Sequence, residues 1–297
     1  MAFAPARFVD LLNTAGHHAN LYQSKDFQFG EVACLRTNRV RAEEEIIDAL
    51  KSADVLHLHG SQIYDRKTIR AIGGEVIDLI PYLNSKSIVL HYHGHPQRIT
   101  PDKYHRQVPL LLLSTPDMCP LFPEGIFFPN LIDETQEMYR QCACGYDTVR
   151  VCHHYSMHPA LKNTTEFLTI KSRHPEIVMD IILQKGLEAT LAERAKYNVV
   201  FDHIQGYYGL VSIEAMAQGI VAINGAVVLV VDYLEKVLGA RPPFERVFDA
   251  GELENRLQWL DLQNALEEME SLSQMAGRGK DWFRKYWSGR KLITRLV

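Results

Sequence analysis

The chain has 297 residues, 46% of them hydrophobic, and 32 Lys and Arg against 36 Asp and Glu give a formal charge of -4. That length exceeds what one core usually organises, so two domains are expected, and the charge supplies no global basic field for nucleic acid or an anionic membrane. No apolar run approaches the roughly 20 residues that cross a bilayer, and the opening MAFAPARFVDLLN lacks the charged-then-apolar plan of a signal peptide.

A cytoplasmic, soluble protein is therefore expected. Cys34, Cys119, Cys142, Cys144 and Cys152 are an odd set without disulfide-framework spacing, which suits a reducing compartment. Cys142-Ala-Cys144 has the wrong spacing for a zinc knuckle.

In chain order, Phe8, Leu11 and Leu12 stand at helical spacing, and residues 19–22 (ANLY) predict a short strand. Residues 42–52 (AEEEIIDALKS) predict a helix with Ile46, Ile47 and Leu50 on its buried side. Strands are expected at 54–59 (DVLHLH), 87–93 (SIVLHYH), 110–113 and 126–128, with a helical stripe over 67–84. The alternation restarts with strands at 148–152, 177–183 and 197–201, a helix over 208–218 and a strand at 220–223. Strands separated by helices predict parallel sheets with right-handed crossovers, here two Rossmann-like lobes. The bounds expected are 1–145, 146–275 and a basic, aromatic terminal helix over 276–297.

In an open parallel sheet, ligands bind beyond the carboxyl ends of the strands. His57 and His59 end one strand; His91, His93 and His95 end the next, with Arg98 close behind. Alternate strand residues face one way, so each pair can converge, either as hydrogen-bonded histidines of a buried sheet or as the start of a metallohydrolase site. Asp54 precedes its strand and Asp102 lies in a loop, so no carboxylate completes a ligand set, and no metal is expected. In the second half, CHHYSMHPALKNT brings Ser156, Lys162 and Thr164 to the sheet's carboxyl edge, where Lys162 is either a phosphate-binding charge or a solvated lysine. Gly206 and Gly209 permit close backbone approach, Tyr207, Tyr208 and the amides of Gly209, Leu210 and Val211 open a helix, and Glu214 lies one turn further. On local grounds alone Glu214 is an exposed acid favourable to the helix dipole.

GYYGLVSIEAMAQGIVAI (206–223) resembles the donor-site signature of family 4 glycosyltransferases, E-G-F-G-L-x-x-x-E-A-M-A-x-G-x-P-V-V, with Gly209, Leu210, Glu214, Ala215, Met216, Ala217 and Gly219 matching. ADVLHLHG and VLHYHGHPQR are similar to the family's D-V-I-H-x-H-G and H-G-S-D-x-R segments through His93, Gly94 and Arg98. FFPNLID resembles P-N-G-V-D, HHYSMHPALKNT resembles H-x-P-S-x-x-x-x-K-G-T, and VVFDHIQGYYG resembles a D-Q-x-x-x-G-W-Y-G variant that carries Asp202. The resemblance spans roughly residues 50–225.

It implies a GT-B fold, two Rossmann-like lobes facing a central cleft, and retaining transfer of a sugar from a nucleoside-diphosphate donor of UDP or GDP type without metal or cofactor. It implies catalytic roles for His93, Arg98 and Lys162. It implies donor contacts from Ser156, Lys162, Asp202, Gly206, Tyr207, Tyr208, Gly209, Leu210, Val211 and Glu214, the last accepting the ribose hydroxyls. The terminal helix would return toward the first lobe. The acceptor implied is a glycan, a lipid-linked glycan, a small molecule or a modified DNA base. The chain departs from the pattern at Gly206, where the family's first glutamate stands, at Val221 for the proline and at Asn163 for the K-G-T glycine. The family usually opens with a strand and a glycine loop, and since a helix comes first here that strand is expected to be missing or replaced. An inactive nucleotide-sugar-binding relative, a GT-B epimerase and a histidine-site metallohydrolase are the alternatives.

Overall fold

A computed structural model describes residues 4–21, 43–59, 67–70, 76–94, 97–104, 108–139, 144–155, 159–183, 186–266 and 270–293. It divides into two compact units, Met1–Asn130 and Leu131–Val297, so the division falls before the 145 expected from sequence.

The first unit opens with helix α1 (Ala4–Thr14) and α2 (Glu43–Ser52), which buries Ile46. Strands β1 (Val55–His59), β4 (Ser87–Tyr92), β5 (Leu110–Leu113) and β6 (Ile126–Phe127) form one sheet in that order, all pairs parallel. The order never reverses. On one face Leu90, Tyr92, Leu111 and Leu113 meet Met118 and Phe122 to form the core. Period-two alternation sends His91 to the other face, and the register His57↔Val89, His59↔His91 puts His57 and His59 there too.

Two expectations fail in this unit. Residues 67–84 are not one helix: β2 (Thr68–Arg70) and β3 (Val76–Asp78) pair antiparallel, and only α3 (Ile80–Leu83) is helical. Ile77 is buried between exposed Val76 and Asp78, a period of two that the apolar count mistook for a stripe. Gly73-Gly74 between the runs also disfavours helix. Residues 19–21 are irregular rather than strand, and Tyr22 lies outside the described residues.

The second unit contains β7 (Arg150–His154), α4 (Pro159–Lys162), α5 (Thr164–Arg173), β8 (Val178–Ile182), α6 (Leu187–Arg194) and β9 (Val199–Phe201). It continues through α7 (Leu210–Gln218), β10 (Val221–Asn224), α8 (Val228–Leu238), β11 (Glu245–Arg246), α9 (Ala250–Leu266) and α10 (Leu272–Trp282). A π-turn over Phe283–Trp287 and α11 (Gly289–Ile293) finish it. The parallel sheet runs β8-β7-β9-β10-β11. Its core joins Val151, Val199, Phe201, Val221 and Ile223 to Phe167 of α5, Leu253 and Leu257 of α9 and Met275 of α10.

The terminal helices belong to this unit. Trp287 meets Tyr208 edge-on at 5.8 Å, and Trp282 donates from Nε1 to the Ala240 carbonyl at 3.2 Å. Gly289 N–H donates to the Ile132 carbonyl at 2.8 Å, and Arg290 pairs with Asp133 at 3.1 Å. Trp282 and Trp287 thus meet residues after 200, while Gly289 and Arg290 bond Ile132 and Asp133 of the same unit.

Candidate functional site

In the second sheet, β7 begins the chain order, β8 lies on one side of it and β9 on the other. The strand order therefore reverses between β7 and β9, and open α/β sheets bind ligands at the carboxyl ends of the strands flanking such a reversal. Those two ends carry the segments singled out in the sequence: β7 leads to Lys162, and β9 leads to Asp202–Gly209 and α7. Ser156, between β7 and α4, lies outside the described residues.

Asp202 is the hub. Only 2% exposed, it accepts from Lys162 Nζ at 2.6 Å, Gly209 N–H at 2.7 Å and Ser212 Oγ at 2.9 Å. His203 Nε2 lies 3.7 Å from the same carboxylate. Burial pushes this carboxyl up, but Lys162, His203 and the bonds from Lys162 and Ser212 outweigh burial and hold it well below the usual carboxylate range. Gly209 is the N-cap of α7, so the carboxylate acts as that helix's cap from seven residues upstream. A Cβ on Gly209 would fall 2.5 Å from an Asp202 oxygen, which explains glycine there. Asp202 thus joins Lys162 to the start of α7. Lys162 is accordingly ion-paired rather than solvated, and Thr164 bonds His153 through its hydroxyl at 2.9 Å.

Glu214 is 6% exposed, so the exposed-acid reading fails. Its Oε2 accepts from Arg194 Nη1 at 3.1 Å. Arg194, fully buried, also donates through Nε to Gln218 Oε1 at 2.7 Å, and Gln218 donates to the Leu191 carbonyl at 2.9 Å. This partner orients the Glu214 carboxylate. Arg194 was not anticipated. Its signal was present: Leu187, Leu191 and Arg194 are the buried residues of α6, one arginine on the apolar stripe of a helix. His154, at the end of β7, is pushed down to about 3 by burial and then by Arg194.

The loop before α7 divides by residue. Gly206 takes φ +80, a left-handed conformation that favours glycine. Tyr207 packs on His203 at 4.7 Å, while Tyr208 is core, 5.5 Å from Phe244. Leu210 and Val211 are half-buried in the first turn, whose amides an α-helix cannot satisfy by itself. Asn163 stands at φ 57, ψ 36, and its Oδ1 accepts from Ile204 N–H at 3.1 Å. The K-G-T glycine is thus replaced by the residue type that best tolerates this conformation.

In the first unit, Arg98 donates through Nε and Nη2 to Asp117 and through Nη2 to Thr115 Oγ1 at 2.5 Å. His93 is half-buried: its Nδ1 donates to Asn130 Oδ1 at 3.1 Å, and its Nε2 accepts from His59 Nδ1 at 2.8 Å. Four imidazoles form a row, with ring centroids 4.3 Å apart for His57 and His59, 5.3 Å for His59 and His91, and 4.3 Å for His91 and His93. Phe8 of α1 covers His57 edge-on at 4.8 Å. Burial drives all four rings down, His57 to about 4 and His93 to about 3; neighbouring histidines add to this for His59 and His91. Each is a neutral ring at pH 7.

Two parallel α/β units, the second with a strand-order reversal, define the GT-B class of fold, two Rossmann-like lobes in one chain. Solved structures agree. Sucrose-phosphate synthase from Thermosynechococcus elongatus is 12% identical, with TM-score 0.61 over 98% of this chain and 90% of that one. Anabaena HepE, solved with UDP and glucose, is 10% identical, with TM-score 0.62 over 99% and 94%. An alpha-glucosyltransferase solved with UDP and a 13-mer DNA containing an HMU base is 13% identical, with TM-score 0.55 over 99% and 93%. No protein-family model matches the chain, and no curated protein matches it. No described helix is long and apolar enough to cross a membrane.

Proposed function

We propose that this chain is a glycosyltransferase that moves a sugar from a nucleoside-diphosphate donor to an acceptor, with retention and without a metal at the transfer step. The observation that carries the reading is the switch point between β7 and β9, where Lys162 and the capped start of α7 meet at Asp202, with Glu214 further along that helix. First-turn amides and a lysine suit a diphosphate. A buried, oriented carboxylate one turn in suits ribose hydroxyls. The likeness to proteins solved with UDP supports a UDP-type donor.

The protein's part in transfer is orientation and charge stabilisation. As the donor's anomeric bond breaks, negative charge grows on the departing diphosphate, where Lys162 and the amides of Leu210 and Val211 stabilise it. Asp202 holds Lys162 ready and is the partner the diphosphate displaces. His93 and Arg98 are proposed to act in turnover from the first unit. The acceptor class stays open among a glycan, a lipid-linked glycan, a small molecule and a modified DNA base.

Calorimetry with UDP, GDP and their sugars, followed by assay of released nucleotide, tests the reading. Glu214→Gln is the informative variant, because Glu214→Ala would strand the buried Arg194 guanidinium. It should weaken donor binding by about 1–3 kcal/mol, the scale of a lost charge-assisted hydrogen bond. Unchanged donor affinity would remove Glu214 from the site. Lys162→Ala should lower turnover more than it raises the donor KM. A second reading, nucleotide-sugar binding without turnover, is favoured by Gly206 at the place of an acid that contacts the sugar in the family pattern. Donor binding with no nucleotide released, whatever the acceptor, would select it.

A further inference from the structure

We propose that His57, His59 and His91 form a three-histidine site for a divalent first-row transition-metal ion, zinc being the representative, with Phe128, His93 and Asn130 as its outer support. One ring nitrogen from each of the three lies within 4.8 Å of the other two. All three rings project from the same face of β1 and β4, an arrangement imposed by the strand register rather than by flexible loops.

The hydrogen bonds assign which nitrogen faces a ligand. A carbonyl only accepts, so His91 carries its proton on Nε2, which donates to the Phe128 carbonyl at 3.3 Å. Its Nδ1 is therefore a lone pair, and that atom is buried without a hydrogen-bond partner among the described residues. The second ring is fixed through a relay. Asn130 Oδ1 accepts from His93 Nδ1–H, leaving His93 Nε2 to accept from His59 Nδ1–H. The lone pair of His59 is then on Nε2. His57 Nε2 is likewise buried and unpartnered among the described residues. Metal-bound histidines typically donate their other N–H to a carbonyl or a side-chain acceptor, which fixes the tautomer and strengthens the ligand. Two of these three rings carry that arrangement.

Charge state and coordination number agree. Neutral imidazole is the ligating form, and burial keeps these rings neutral. Three histidines with one open position filled by solvent make a sufficient zinc set, so the missing carboxylate that argued against metal in the sequence is not needed. His57 and His59 are half-buried, which leaves solvent access to that position. The bonds of 2.0–2.1 Å expected for zinc place tetrahedral nitrogens about 3.3 Å apart, so the rings would draw together by roughly an ångström or more. His153 shows what a structural histidine looks like in this protein: both of its nitrogens are hydrogen-bonded, to the Phe201 carbonyl at 3.1 Å and Thr164 Oγ1 at 2.9 Å.

The test uses the full chain, stripped with a chelator and titrated with Zn²⁺ or Co²⁺ alone, with no sugar nucleotide present. Its outcome is therefore independent of the glycosyltransferase reading. One ion per chain is expected, with Co²⁺ giving the visible ligand-field absorption of a low-coordinate nitrogen site. His57→Ala and His59→Ala should each abolish stoichiometric binding while keeping the native circular dichroism. His93→Ala and Asn130→Ala should weaken it on the order of 10–100-fold, as outer supports do. Replacing the exposed His17 and His18 should change nothing. His91→Ala removes a fully buried ring and is the least informative variant if it unfolds; His57→Ala carries the test in its place. Failure of the wild type to bind, or binding that survives the His57→Ala, His59→Ala double variant, overturns the site.

Discussion

Both sheets place histidines at the carboxyl ends of their strands, and His154 of the second, with Nε2 buried and unpartnered among the described residues, resembles those of the first, but His153 differs from them in what its nitrogens do. His153 on β7 has both ring nitrogens bonded inside the second unit. On β1 and β4 a row of four rings leaves Nε2 of His57 and Nδ1 of His91 buried with no partner among the described residues. Residue type and topological position are the same in the two cases, so the partner inventory is what distinguishes a fully bonded histidine from one with an orphan nitrogen. A buried polar atom without a partner destabilises a fold unless something else satisfies it.

The comparison breaks most visibly at Asp202, which accepts three hydrogen bonds within the second unit. Asp202→Ala removes the cap of α7 and the partner of Lys162, and about 3–5 kcal/mol of stability should disappear in urea unfolding. The pH response should separate the buried histidines from Asp202. The histidines of the first sheet have folded values below their unfolded 6.5, so the unfolded chain gains protons first as pH falls. Their stabilising contribution is complete above about pH 6.5 and declines through about 4 for His57 and 3 for His93. His57 alone should account for about 2 kcal/mol by pH 5. Asp202 has a proton count of the same sign, its value also being depressed, but in a lower window: its contribution is present above the unfolded value near 3.9 and is lost only in stronger acid. Urea unfolding at pH 7 and at pH 5 should show the wild type losing more stability than His57→Phe, which has no ring to protonate at that position.

Smaller effects sharpen the contrast ring by ring. His153→Phe strands the Thr164 hydroxyl and should cost about 2 kcal/mol. His57→Phe, measured without metal, should be neutral or stabilising by up to about 1 kcal/mol, because it removes an unpaired nitrogen. Equal destabilisation by the two would erase the distinction. Last, Asn163→Ala should cost about 1 kcal/mol more than Asn163→Gly, since both lose the bond to Ile204 but only alanine resists φ 57. Thermal melts of the two variants measure that difference.

Much of the second unit was legible because its strands are short apolar runs flanked by turns, and β7, β8, β9 and β10 fall within or near their expected spans. The helix over 208–218 begins at Leu210, since Gly209 caps it. Long helices α8 and α9 went unread: α8 opens VLVVDYL, which looks like strand until its burial at Val230, Val231, Leu234 and Leu238 is known. In the first unit, alternation within three-residue strands was too brief to outweigh a false helical stripe. At the site, residue identities were readable but not their pairings. Nothing local tells that Lys162 meets Asp202, 40 positions away, or that Arg194 meets Glu214 across 20. Those are tertiary contacts. Alternation did place His57, His59, His91 and His93 on one side of a sheet, but not the hydrogen bonds to Phe128 and Asn130 that fix their tautomers.

Helix α7 buries every residue from Ser212 to Gln218. Most helices keep a solvent face where substitution is nearly free; α9, with Leu253, Leu257 and Leu260 buried at spacings of four and three, is such a helix. A helix enclosed all round has no silent position, because each added or removed methylene is felt by packed neighbours. In a scan of all single substitutions, α9 should show intolerance in a pulse every third or fourth residue, whereas 212–218 should form one unbroken block. A contiguous string of letters is then what such a segment must present, and SIEAMAQ, rather than the spaced signals around it, is the part of this chain that stands out to the eye.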